Sequence, residues 1–118
     1  DNPNHVQAMK EHKITPIDMV VVNLYPFKET ISKPEVALAE AIENIDIGGP
    51  AMIRAAAKNF KYVTVVTNPG RYNEVVEQVE KDGCVSGMLR MQLAQEAFKH
   101  TSEYDDCIQN YLMEQVNK

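Results

Sequence analysis

Asp18-Met19-Val20-Val21-Val22-Asn23-Leu24 decides the fold. A continuous β-branched run with polar residues only near its ends suits a parallel strand buried on both faces. Tyr25-Pro26 stops it, because proline cannot donate to a strand ladder. Lys61-Tyr62-Val63-Thr64-Val65-Val66-Thr67 repeats the pattern and reads as a second strand, followed by a turn at Asn68-Pro69-Gly70. The residues between the two strands read as a charged loop over 27–34 and a helix over 34–44, with Val36, Leu38, Ala39 and Ile42 as its apolar face. Glu35 is placed in the first turn of that helix. A turn over 45–49 follows, and Pro50 opens an alanine-rich helix that runs to about Asn59. Beyond the second strand, a helix over 71–81 turns Val75, Val76 and Val79 inward and stops at Asp82-Gly83. Two consecutive helices are predicted over 86–99 and 101–115, with Thr101 or Ser102 as the N-cap between them. Ahead of the first strand, Asn4 is the expected cap of a short helix over 5–12, which Thr15-Pro16 ends. Strand, helix, helix, strand, helix is α/β order. It predicts a three-layer sandwich around a mostly parallel sheet with right-handed connections.

Composition narrows the function classes. A chain of 118 residues is at most one small domain. Its 44% hydrophobic content can form a core, but a domain of this size has little stability to spare. A formal charge of −5 argues against a nucleic-acid footprint. No membrane-spanning run and no signal peptide are evident. Cys84 and Cys107 lack CxxC spacing and read as a reduced, cytosolic pair. His5, His12 and His100 lack metal-ligand spacing, so no metal is expected.

Three places carry residue types that a core does not need. Asn23 and Tyr25 close the first strand, and ligands of open α/β sheets bind outside such carboxyl ends. A bland role is available to both: a loop hydrogen bond for the amide and half-buried packing for the ring. Asp46 precedes Gly48, Gly49 and a helix start, where bare N–H groups favour an anion. It serves equally well as an N-cap. Arg54 and Lys58 lie one helical turn apart and share a face, which reads either as a solvated basic stripe or as part of a site. A straight helix from Pro50 to Lys58 spans about 12 Å at ~1.5 Å per residue. Asp46 and Lys58 therefore meet only if the turn folds back, the helix is short, or the lysine extends.

Asn23-Leu24-Tyr25-Pro26-Phe27, Ile45-Asp46-Ile47-Gly48-Gly49 and Arg54-Ala55-Ala56-Ala57-Lys58-Asn59, in that order, resemble the IMP cyclohydrolase domain of the AICAR formyltransferase/IMP cyclohydrolase family. Leu93-Ala94, Ala97-Phe98, His100-Thr101, Tyr104-Asp105 and Ile108 are similar to its closing helical segment. The resemblance implies a methylglyoxal-synthase-like fold that lacks its first strands here. Residues 1–118 would form the later part of one cyclohydrolase domain, with the phosphate-loop segment and the formyltransferase domain outside the chain. The isolated chain is then expected to be inactive.

The resemblance also implies chemistry. Val22 (through its backbone), Asn23, Asp46, Ile47 and Gly48 would bind the nucleotide formyl-AICAR or its product IMP. Lys58 and Asp46 would transfer protons, and Tyr25 would steady an oxyanion. Ring closure would need no cofactor, whereas formyl-tetrahydrofolate would serve the formyltransferase domain. A cytoplasmic homodimer is expected, with no nucleic-acid or membrane partner. Two alternatives stand beside this: a non-catalytic phosphate-ligand-binding module of the methylglyoxal-synthase-like type, and a subunit-contact fragment using Met88, Leu89, Met91 and Phe98.

Overall fold

A computed structural model describes residues 1–118. Two short strands, β1 (Met19–Val21) and β2 (Thr64–Val66), pair in parallel with Val20 opposite Val65. The ladder continues at each end: Thr64 N–H donates to the Asp18 carbonyl at 3.0 Å and Val22 N–H to the Val66 carbonyl at 3.1 Å. Six helices surround this pair: α1 (Pro3–Glu11), α2 (Phe27–Ser32), α3 (Leu38–Glu43), α4 (Gly48–Lys58), α5 (Tyr72–Asp82) and α6 (Gly87–Val116). No helix is long and apolar enough to cross a membrane.

Successive strand residues face opposite ways, so β2 has two buried faces. Val65 packs with Ile53, Ala56 and Ala57 of α4 and with Ala94 and Ala97 of α6. Val66 packs with Val75 of α5, with Val85, and with Leu89 and Leu93 of α6. Helix α4 thus covers one face of β2 and α5 the other, while α6 reaches both clusters. A third cluster joins α2 and α3 to the far half of α6. Its centre is Phe27, which meets Tyr104 and Tyr111 edge-on at centroid distances of 6.4 and 5.7 Å. Full burial of one such ring contributes about 1.5–3 kcal/mol.

The strand at 18–24 is expected to be covered on both faces, and the structure corrects this. Val20 joins the α4 cluster, but Met19 and Val21, on the opposite face, remain 38% and 50% exposed. The sheet has only two strands, so the outer edge of β1 has no strand partner. With α1 burying no residue, the radius of gyration is 17.7 Å. A compact chain of this length has about 13–14 Å.

Four helix assignments also depart from the sequence reading. Residues 27–32 form α2 rather than a loop, held by burial of Phe27 and by a Thr30 hydroxyl that donates to the Pro26 carbonyl at 3.2 Å. Glu35 adopts φ +68°, so no helix begins beside it and α3 starts only at Leu38. Asn2, not Asn4, caps α1, accepting the Asn4 N–H at 2.9 Å. The two helices expected after Ser86 are one 30-residue helix. No glycine or proline interrupts the sequence near Thr101, whose hydroxyl donates back to the Phe98 carbonyl at 3.1 Å instead of capping a new start. Both cysteines are free, Cys84 exposed and Cys107 half-buried.

Candidate functional site

Because β1 and β2 run parallel, their carboxyl ends open on one side of the molecule. Asn23, Tyr25 and Lys28 follow β1, and Thr67, Asn68 and Pro69 follow β2. Together with Lys99, His100, Glu103 and Tyr104 of α6 they enclose a cavity of about 640 Å³. Its volume lies in the usual range for a small-molecule pocket. The acids on its wall are already matched. Glu96 receives a forked pair of hydrogen bonds from Arg71, and Glu103 lies 3.9 Å from Lys99. The hydrogen bonds that Arg71 donates to Glu96, and then to Glu74, hold its guanidinium even more firmly protonated than usual. Lys28 and His100 face the same cavity with no ion pair of their own, so an anion is not repelled. Asn23 is nearly unengaged, with one long hydrogen bond from its side-chain amide to the Tyr72 hydroxyl at 3.4 Å. Tyr25 is 59% exposed, more open than half-buried packing would leave it.

Asp46 stands at the start of α4 and fastens three segments together. Its Oδ1 accepts the Gly49 N–H at 2.8 Å, which is the N-cap pattern. Its Oδ2 accepts the Tyr25 N–H at 3.1 Å, tying the end of β1 to the helix start. Its own N–H donates to the Tyr104 hydroxyl of α6 at 2.9 Å, and that hydroxyl in turn donates to the Asn44 carbonyl at 3.4 Å. Burial is the main cause that pushes the Tyr104 phenol above its ordinary value; the Asp46 N–H bond works in the opposite direction. Gly49 makes this approach possible. A Cβ there would stand 2.7 Å from both Asp46 Oδ2 and Leu24 Cδ2. Gly48 differs, since a Cβ built on it meets nothing within 4 Å. Ile47 beside it is 75% exposed. Packing therefore explains Gly49 but gives no reason for glycine at 48.

The sequence-derived residues separate into two places. Val22, Asn23, Tyr25, Asp46, Ile47 and Gly48 gather around the β1 end and the α4 start. Within that group Asn23 and Tyr25 line the cavity, while Asp46 meets it through Tyr25 and Tyr104. The backbone N–H of Val22 is already spent in the ladder. Lys58 is elsewhere. Helix α4 runs unbroken from Gly48 to Lys58, so about 15 Å of helix separates the two ends at ~1.5 Å per residue. Lys58 lines a different, smaller cavity with Arg54. The turn at 45–49 does not fold back toward it, because Asp46 is tied to β1 and α6.

Sequence reasoning overlooked Asn68, His100 and Tyr104 as wall residues. Asn68 carried a usable signal, since it closes the second Val-rich strand as Asn23 closes the first. Tyr104 reaches the site only because α6 continues past Thr101. No group of three or more His, Cys, Asp or Glu side chains could hold a metal ion.

Residues 56–118 match the family model described as AICARFT/IMPCHase bienzyme, and residues 1–51 match that of the MGS-like domain. The chain is 57% identical over 117 residues to the bifunctional purine biosynthesis protein PurH of Thermoanaerobacter sp., 56% over 116 residues to that of Lactobacillus delbrueckii subsp. bulgaricus, and 55% over 118 residues to that of Bacillus cereus. These matches take in 98–100% of the chain but only 23% of each relative, so the chain spans about a quarter of their length. The crystal structure of ForH superposes with a TM-score of 0.81 at 33% identity, over 92% of this chain and 56% of that one. The fold is thus methylglyoxal-synthase-like, an α/β layered domain around a parallel sheet.

Proposed function

This chain belongs to the AICARFT/IMPCHase bienzyme family, and from that premise we propose that it forms the later part of an IMP cyclohydrolase domain, which closes the purine ring of formyl-AICAR to IMP with loss of water. One observation carries the reading: the Asp46 carboxylate is fastened to the backbone of Tyr25, at the mouth of the cavity where the parallel strands end. Ring closure joins two groups of one molecule, so the protein's task is orientation and proton handling. The carboxamide nitrogen attacks the formyl carbon, a C–N bond forms, and that nitrogen gives up one proton. The formyl oxygen takes up the negative charge and then a proton. The adduct finally loses water, which takes that hydroxyl with the proton of the formamide nitrogen and leaves a C=N bond.

In this reading the exposed Tyr25 hydroxyl donates to the developing oxyanion. Asp46 holds one backbone donor on each carboxylate oxygen and keeps lone pairs for the carboxamide N–H. Asn23 and the Val22 backbone contact the nucleotide, and the uncrowded Gly48 lets its base approach beside Ile47. The family resemblance gives Lys58 a proton-transfer role, although the far end of α4 keeps it out of the strand-end cavity of this chain. Ring closure takes no cofactor in this proposal, and formyl-tetrahydrofolate supplies the formyl group in the companion formyltransferase step. The protein acts in the cytoplasm as a homodimer. Support for the dimer comes from Met88, Met91, Leu112, Met113 and Val116, all exposed along α6.

The test is cyclohydrolase turnover of formyl-AICAR by the protein that carries this chain, with Tyr25→Phe, Asp46→Asn and Lys58→Ala compared. Loss of one oxyanion donor lowers kcat by about 10²–10³. An unchanged kcat in Tyr25→Phe overturns the reading, and an unchanged kcat in Lys58→Ala removes that residue from the set. A second reading, a module that binds a phosphorylated ligand without catalysis, has one observation in its favour: both Asp46 oxygens already serve the fold. IMP binding with no turnover in the intact protein would select it.

A further inference from the structure

The last turn of α4 and the middle of α6 enclose a second cavity, of about 400 Å³, and nothing in the reading above uses it as a binding site. It is lined by Arg54, Ala55, Ala57, Lys58, Phe60 and Phe98. Two cations and two phenyl rings line it, and no acid does. Neither Arg54 nor Lys58 takes part in any of the chain's ion pairs, which join Lys61 to Asp1, Arg71 to Glu74 and Glu96, and Lys99 to Glu103. The Arg54 guanidinium instead lies over the Phe98 ring, 5.8 Å from its centroid. One helical turn separates Arg54 from Lys58, so like charges stand side by side, an arrangement that disfavours the helix unless something neutralises it. Phe98 remains 40% exposed although it is a large apolar ring.

We propose that this cavity binds a small aromatic anion, with its carboxylate or phosphate between Arg54 and Lys58 and its ring against Phe60 and Phe98. A guanidinium fork matches either oxyanion in two-point fashion, and the lysine adds a second charge. The helix C-terminus carries a partial negative charge of about half a unit, which opposes the ligand, but two full positive charges exceed it. The volume falls within the range of small-ligand pockets. Lys58 is shared with the cyclohydrolase reading, but the assignment stands on Arg54, Phe60 and Phe98, which have no part in that chemistry, and its readout is binding rather than turnover.

The experiment titrates the protein that carries this chain with phenyl phosphate, benzoate and inorganic phosphate, followed by NMR at the Arg54 guanidinium N–H, the Phe98 ring and the Asn23 side-chain amide. Expected are saturable shifts at Arg54 and Phe98 with the two aromatic anions and little response to inorganic phosphate. Arg54→Gln and Lys58→Gln each weaken binding about tenfold, the usual effect of losing one charge-assisted contact. Both side chains are exposed, so these variants keep the fold, and Phe98→Leu keeps apolar bulk while removing the ring contact and weakening binding as well. The proposal is overturned if inorganic phosphate binds as tightly as phenyl phosphate, if the charge variants leave the affinity unchanged, or if only Asn23 shifts. The last result would place the ligand in the strand-end cavity instead.

Discussion

Replacing Tyr104 by Phe removes one hydroxyl and leaves the ring packed edge-on against Phe27. That hydroxyl accepts the Asp46 N–H at 2.9 Å and donates, at a long 3.4 Å, to the Asn44 carbonyl. Without it the Asp46 N–H has no protein partner. A stranded buried donor costs about 1–3 kcal/mol, and the half-buried position of both residues points to the lower end, about 1–1.5 kcal/mol. At ~2.1 cal/mol/K per residue, this corresponds to a loss of about 4–6 °C in Tm for a chain of this size. The assay is urea and thermal unfolding of both proteins, with amide exchange read at Asp46. Exchange there should quicken about tenfold if the full cost is local. There is also a pH signature. Burial raises the Tyr104 phenol above its ordinary 10.0, so the folded state favours the neutral form. That stabilisation is complete below the ordinary phenol range and disappears as pH rises through the folded-state value. The wild type should therefore lose stability at high alkaline pH that the variant does not lose. Equal unfolding midpoints together with unchanged Asp46 exchange would refute the clamp.

Gly49→Ala forces a Cβ to 2.7 Å from the Asp46 carboxylate and from Leu24, so the turn must open; overpacking of this kind costs about 1–3 kcal/mol in urea unfolding. Gly48→Ala has room for its Cβ and should hold or raise stability by about 0.4–1 kcal/mol. If Gly48 admits the nucleotide, the same variant raises KM for formyl-AICAR while the unfolding midpoint stays up; an unchanged KM removes Gly48 from the binding set. Ser86→Ala deletes the side-chain oxygen that accepts the Leu89 N–H at 3.2 Å, and loss of that cap should cost about 1 kcal/mol by thermal unfolding. Met19→Lys places a charge on the bare face of β1 and should lower the sedimentation coefficient of concentrated samples if that face drives association.

The architecture was readable where one local signal dominates. The Val-rich runs at 19–22 and 63–66, Gly83 in the left-handed conformation at φ +74°, and the Ala-rich α4 all declare themselves within a few residues. What escaped the reading depends on distant partners. The bare face of β1 carries the same Val run as a covered one, because the sequence of a strand does not say what lies across from it. Helix α2 is stabilised by Phe27 meeting Tyr104 and Tyr111, more than seventy residues on, and its own propensity is modest. Thr101 has the chemistry of an N-cap but no breaker before it, so the helix simply continues. At the site, Asn23, Tyr25 and Asp46 lie near the β1 end, whereas the α4 length carries Lys58 away from Asp46.

Helix α6 supplies Ala94 and Ala97 to one apolar cluster, Leu89 and Leu93 to the second and Tyr111 to the third. At ~1.5 Å per residue its thirty residues make a rod about 45 Å long. One rod thus joins Tyr111 to the strand-end cavity, which Tyr104 and His100 line. Because the three clusters share this helix, they are expected to gain or lose their order together rather than one at a time. The melting of this chain should accordingly be as cooperative as that long helix is continuous, and the Asp46 clamp should be sensitive to events at a terminus it never touches.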